Sequence, residues 1–184
     1  MLKQFFESFG FYEFGIADTA GIRFRQDIRA MCEVNTCRAY GTTWACPPAV
    51  GTVEECGERV RQYDKMVVLS GKYELEDSFD YESIQEGAKK FRESSRALNQ
   101  VLRERFSDYF MLSNEGCDLC SKCTYPDAPC RFPDRAMGSL EGYGIFVSEL
   151  ATQAGMKYNN GPNTVTFFGA LICNEDLLNT LDTL

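Results

Sequence analysis

The sequence predicts one α/β or α+β domain over residues 1–184, with a central sheet of about four strands flanked by helices and cysteine-bearing loops between them. Three observations predict it. Segments with helical apolar spacing alternate with short runs of β-branched and aromatic residues, the pattern of a sheet covered by helices. No internal repeat, low-complexity tract or linker divides the chain. A hydrophobic share of 44% beside 25% charged residues is the composition of a folded globule, and a chain of this length buries roughly 70% of its unfolded surface without cross-links.

Leu2, Phe5, Phe6 and Phe9 recur at helical spacing, with Gly10 as the C-cap. Phe14–Ala17 reads as a short strand. Thr52-Val-Glu-Glu55 has the form of a capping box, opening a helix whose apolar face carries Val53, Cys56, Val60 and Tyr63. Met66–Leu69 reads as a buried strand. A long helix is expected from about Tyr81 to Phe106, with Ile84, Ala88, Phe91, Leu98 and Leu102 on one stripe. Tyr109–Leu112 is the next strand, and 113–138, rich in Cys, Pro and Gly, is a structured loop. Leu140, Tyr143, Val147, Leu150 and Ala154 predict a further helix closed near Gly155, and Thr164–Cys173 the last strand.

Charge and patterning exclude several partners. The chain carries 19 Lys+Arg against 27 Asp+Glu, whereas nucleic-acid binding is dominated by cationic contacts to phosphate. An anionic membrane surface finds no support either. The apolar runs Met66–Ser70 and Val165–Cys173 fall short of the ~20 residues that span a bilayer. The first ten residues include Glu7 and lack a signal-peptide pattern, so a cytoplasmic address is expected.

Nine cysteines and no histidine then set the chemistry. In a reducing compartment, closely spaced cysteines are metal ligands or catalytic groups more often than disulfides. The segment Cys117-Asp-Leu-Cys120-Ser-Lys-Cys123-Thr-Tyr-Pro-Asp-Ala-Pro-Cys130 has C-x2-C-x2-C spacing with a fourth cysteine after a proline-bearing turn. Three thiolates at two-residue intervals can reach three irons of a cubane, and the fourth closes it. Bacterial ferredoxins use a similar run with a shorter last gap. A [4Fe–4S] cluster is therefore expected on Cys117, Cys120, Cys123 and Cys130, with Lys122 and Arg131 offsetting its charge. Zinc in a tetrahedron of thiolates is the alternative, and a redox dithiol or disulfide a third.

Cys32, Cys37 and Cys46 have C-x4-C-x8-C spacing, and Pro47-Pro48 stiffens the chain after Cys46. A second cluster is expected there, shielded by Tyr40 and Trp44; three buried thiols among core aromatics are the alternative. Cys56 or Cys173 could supply a fourth ligand, although apolar neighbours explain both. With neither, one iron stays open to solvent or substrate and could act as a Lewis acid.

The pieces Cys32…Cys37…Tyr40-Gly41…Trp44-Ala-Cys46-Pro-Pro, Cys117-x2-Cys120-x2-Cys123…Pro129-Cys130-Arg131-x-Pro133 and Ser139-Leu-Glu-Gly-Tyr-Gly144-Ile-Phe-Val147 resemble a family of cysteine-rich predicted metal-binding proteins of unknown function, widespread among anaerobic microbes. The resemblance spans roughly residues 30–172. It implies metal binding by the seven motif cysteines, with Cys56 and Cys173 outside the motifs. It implies no reaction. Gly138, Gly142 and Gly144 either bring backbone close to a cluster loop or serve ordinary tight packing. Glu141 is a surface carboxylate or an acid–base group near the site; Arg38 and Arg131 are surface residues or anchors for a substrate carboxylate.

Three functions compete on these residues. One is an iron–sulfur redox protein serving a redox partner protein or a small-molecule substrate. A second is an enzyme with an open-iron cluster that dehydrates or desulfurates a small molecule. The third is a zinc-stabilised, non-catalytic binding protein.

Overall fold

The computed structural model describes residues 1–183. Its elements are α1 (Leu2–Glu7), β1 (Glu13–Asp18), α2 (Gln26–Glu33), α3 (Val53–Val60), β2 (Lys65–Glu74), α4 (Tyr81–Arg103), β3 (Tyr109–Ser113), β4 (Gly138–Ser139), α5 (Val147–Gln153), β5 (Thr164–Cys173) and α6 (Glu175–Asp182). The strands form one open sheet in the order β1-β2-β5-β3-β4, antiparallel except for the parallel β3–β4 pair. The α/β class expected from the sequence is the one observed, with a fifth, two-residue strand at the end of the cysteine-rich loop.

Side-chain alternation along β2 and β5 makes the molecule three-layered. Met66, Val68, Ala170 and Ile172 enter one core with Val60 of α3 and Leu150 and Ala151 of α5. Val67, Leu69, Leu171 and Cys173 enter the opposite core with Phe91, Leu98 and Leu102 of α4, Phe6 of α1 and Leu177 and Leu181 of α6. Burial on both faces explains why these strands read as continuous apolar runs. Each fully buried Leu or Phe contributes about 1.5–3 kcal/mol. Two caps set helix starts. Thr52 and Glu55 form the reciprocal box their spacing predicts, and the Asp80 carboxylate accepts the Ser83 and Glu76 amides ahead of α4.

The helix expected over Leu140–Ala154 is broken. Glu141–Tyr143 is a single 3-10 turn, Gly144 turns left-handed at φ 77°, Ile145 bridges to Phe24, and only Val147–Gln153 is α-helical. The Arg25 amide bonds the Gly144 carbonyl at 2.7 Å, giving that backbone group a partner outside any helix. The long helix stops at Arg103 rather than Phe106, and α2 and α6 are helices that were not expected from the sequence. Among the described residues, no helix is long and apolar enough to cross a membrane.

Candidate metal centre

The chain leaves β3 at Ser113 and enters the first cysteine loop, whose start is tied to α4. Asn114 Nδ2 donates to the Ala88 carbonyl at 3.3 Å, Arg92 pairs with Glu115 and Asp118, and Arg96 pairs with Asp118. Internal bonds shape the far half: Thr124 Oγ1 donates to the Pro129 carbonyl at 2.9 Å and Arg131 to the Lys122 carbonyl at 3.0 Å. Trp44 closes the loop from outside, donating Nε1–H to the Ala128 carbonyl at 3.0 Å and meeting Tyr125 edge-on at 5.0 Å. Within this frame Cys117, Cys120, Cys123 and Cys130 all line one small cavity, walled by Trp44, Leu119 and Phe132.

The second set arises from α2 and the turns after it. Cys32 sits in the last turn of α2, Cys37 is exposed between left-handed Asn35 and Arg38, and Cys46 is buried ahead of the cis Pro47–Pro48 bond. The Asn35 carboxamide accepts the Tyr40 amide at 3.1 Å, and the Gly41 amide donates to the Pro47 carbonyl at 2.8 Å, folding this loop on itself. The two sets meet. A Cβ added at Gly116 would stand 3.1 Å from Cys46 Sγ, and one at Gly138 would stand 3.0 Å from the Ala45 carbonyl.

The electrostatics follow the same grouping. Burial pushes the Cys32 thiol up, and Glu141, Cys37 and Cys46 add to it while Arg29 opposes. Burial likewise raises Cys46, with the Thr43 hydroxyl and Cys117 amide opposing and Cys37 adding. Cys117 is raised by burial, with Cys130 and Cys123 adding and Arg96 opposing. Cys123 goes the other way. Burial is the largest single influence and raises it, but the Tyr125, Trp44 and Thr124 amides facing its sulfur and the charge of Arg131 together outweigh it, and the thiolate is favoured. Among the described residues, no three Cys, Asp or Glu side chains converge closely enough to hold a single metal ion.

Cys56 and Cys173 belong to the two cores and are fully buried. Cys56 Sγ lies 3.4 Å from Arg29 Nη2 and donates to the Val50 carbonyl at 3.5 Å. Cys173, on the other face of the sheet, is pushed up to about 12 by burial and then by Asp64.

The donor set fits an anionic metal–thiolate group on one further observation. Arg29 is 5% exposed, bonds the Gly51 carbonyl at 2.8 Å, and leaves Nε without a partner among the described residues. A buried guanidinium lacking a carboxylate costs several kcal/mol unless an anion lies near; the sulfur contact of Arg29 is Cys56 at 3.4 Å, and its charge also favours the Cys32 thiolate one turn along α2. Arg96 lies beside Cys117, half-buried and paired with Asp118, with its Nε unpartnered and its charge disfavoured first by burial. Sequence reading singled out Arg38, which is exposed, and missed Arg29. The available signal was its position three residues before Cys32 on one helix face. Glu141 keeps exposed surface in the turn packed on α2. Burial and then Glu115 nonetheless push its carboxyl up.

An α/β domain whose two cysteine loops meet beside β3 and β4, faced by arginines, has the make-up of a metal-binding protein. The chain belongs to the family described as predicted metal-binding protein (DUF2284), whose model matches residues 16–173. No curated protein and no solved structure matches it.

Proposed function

We propose that the chain is an iron–sulfur redox protein, an electron carrier or reductase component, with a [4Fe–4S] cluster on Cys117, Cys120, Cys123 and Cys130 and a second cluster on Cys32, Cys37 and Cys46. The observation that carries this reading is the contact of Cys46 with the Gly116–Cys117 backbone, which sets the two ligand groups side by side. When bound, such clusters supply one-electron transfer at potentials between about −700 and +450 mV. The chain's own residues hold them, exclude water and set their charge. Trp44, Leu119 and Phe132 wall the first group from solvent. Buried Arg29, half-buried Arg96 and exposed Arg131 favour the thiolates of Cys32, Cys117 and Cys123 respectively.

Glu141 supports a second reading for the three-cysteine group. Its carboxylate bears on Cys32 more strongly than either neighbouring cysteine does. A group with three thiolates and a nearby carboxylate suits a metal with an exchangeable position, and hence Lewis-acid rather than electron-transfer chemistry.

Anaerobic purification followed by iron, acid-labile sulfide and zinc analysis tests the proposal. About four irons and four sulfides per cluster are expected, and zinc without sulfide would replace the redox reading with a structural one.

A further inference from the structure

We infer that the cavity beside Cys130 binds a small organic carboxylate with an apolar body, its head held by Arg59 and Tyr143. The cavity has a volume of about 580 Å³, and Trp44, Cys130, Arg59 and Tyr143 are among the residues that line it. Protein pockets that enclose small organic ligands span roughly 300–1,000 Å³. Its wall is mainly apolar, with Ala49, Val50, Pro126 and Pro133 among its residues, and such a surface takes a hydrocarbon body.

The head-group site is built from two side chains that hold each other. Arg59 Nη1 donates to Tyr143 Oη at 2.6 Å, Nη2 donates to the Val50 carbonyl at 3.3 Å, and the guanidinium lies 5.5 Å from the Tyr143 ring centroid. Those contacts fix the fork. A guanidinium has five N–H donors, so donors remain for a ligand. Arg59 forms no ion pair among the described residues; the neighbouring Glu55 carboxylate is occupied as acceptor of the Thr52 amide at 2.7 Å. Tyr143 has accepted from Arg59 and keeps its own hydroxyl proton to give. Burial raises its pKa, with Arg59 opposing, so the phenol is a proton donor at neutral pH.

The site offers one cation and one neutral donor, which matches a singly charged head. Asp127, an exposed carboxylate on the wall, disfavours more heavily charged anions. A ligand held there would share its cavity with Cys130, so the site deepens the redox reading toward a reductase component. What happens to the ligand rests on that reading, whereas binding does not.

Titration calorimetry of the anaerobically purified protein with benzoate, and with benzamide as its neutral isostere, tests the site. Benzoate is expected to bind at one site per chain and benzamide at least about tenfold more weakly, since a charged hydrogen-bonded head is lost. Arg59→Gln should weaken benzoate about tenfold or more, Tyr143→Phe several-fold, and Arg105→Gln, a change at an exposed residue outside the cavity lining, not at all. Ala128→Phe, an exposed rim substitution, should weaken it without touching the Arg59–Tyr143 pair. No binding by the wild type, benzamide binding equal to benzoate, or full binding by both Arg59→Gln and Ala128→Phe would overturn the site. Iron measured on the same samples separates the two proposals. Benzoate binding without iron sinks the redox reading alone, and full iron without benzoate binding sinks the pocket alone.

Discussion

Cys46 Sγ rests against the backbone that leads into Cys117: a Cβ at Gly116 would stand 3.1 Å from that sulfur and 2.9 Å from the Ala39 Cβ. Glycine at 116 therefore sets how closely the two cysteine loops approach. Gly116→Val should force them apart, cost about 1–3 kcal/mol as other overpacked substitutions do, and reduce bound iron at both groups. Gly21→Ala, where a Cβ meets nothing within 4 Å, should change neither thermal stability nor iron content. Normal iron in the Gly116→Val protein would show that the contact is incidental.

Cys120 lines the first cavity between Cys117 and Cys123. Cys120→Ala should remove about one cluster's worth of iron, roughly four atoms, and leave the signal of the second group. Iron analysis together with electron paramagnetic resonance of the reduced protein reads both numbers, and full retention of iron rejects the first assignment.

Cys56 and Cys173 each lie in an apolar core, and no other cysteine appears among the groups that shift their pKa values. Alanine at either position should cost on the order of 1 kcal/mol and leave metal content unchanged. Loss of a cluster from one of the two variants would instead identify a fourth ligand.

Alkaline stability should fall in a defined window. Burial holds the Cys173 thiol and the Tyr109 phenol up to about 12 each, whereas the unfolded groups ionise near 8.5 and 10. Both folded-state values are raised, so their contribution is complete below the unfolded pKa values and is lost as pH climbs from there toward 12. Urea midpoints measured from pH 8 to 11 should decline, and Cys173→Ala should flatten the lower part of that slope. A wild-type profile flat to pH 11 would contradict the burial of both groups.

Glu141 is the carboxylate that bears on Cys32. In Glu141→Ala, a small thiol such as 2-mercaptoethanol should perturb the second group's spectrum at lower concentration than in the wild type and spare the first group. Identical titrations in the two proteins would remove Glu141 from the site and favour plain electron transfer there.

Much of the fold was written in local pattern. The apolar runs of β2 and β5 and the Thr52–Glu55 box are local signals, and they became the elements they predicted. Helix α2 left almost no signal, because only Ile28 and Arg29 of its residues are buried. Helix α6 did carry one, since Leu177, Leu178 and Leu181 face the core behind Asn174, but the segment is short and follows the last strand. The apolar spacing from Leu140 to Ala154 is real, yet Gly144 and its bond from Arg25 divide it. For the site, spacing alone isolates the four thiols of the first loop. The approach of Cys46 to Cys117 and the burial of Arg29 are tertiary facts, fixed by how α2 and the 3-10 turn pack, and no periodicity encodes them.

Trp44 is the chain's one tryptophan, and its indole closes the cavity that the four thiols line. The molecule thereby contains its own optical gauge. A visible-absorbing metal–sulfur chromophore at that distance drains the indole's excited state, so emission should be dim in the loaded protein and brighten as the first loop is emptied by chelator or air. Because no second indole contributes background, the rise reports the emptying of the metal–sulfur groups that flank Trp44, and the Cys120→Ala protein shows how much of it belongs to the first loop.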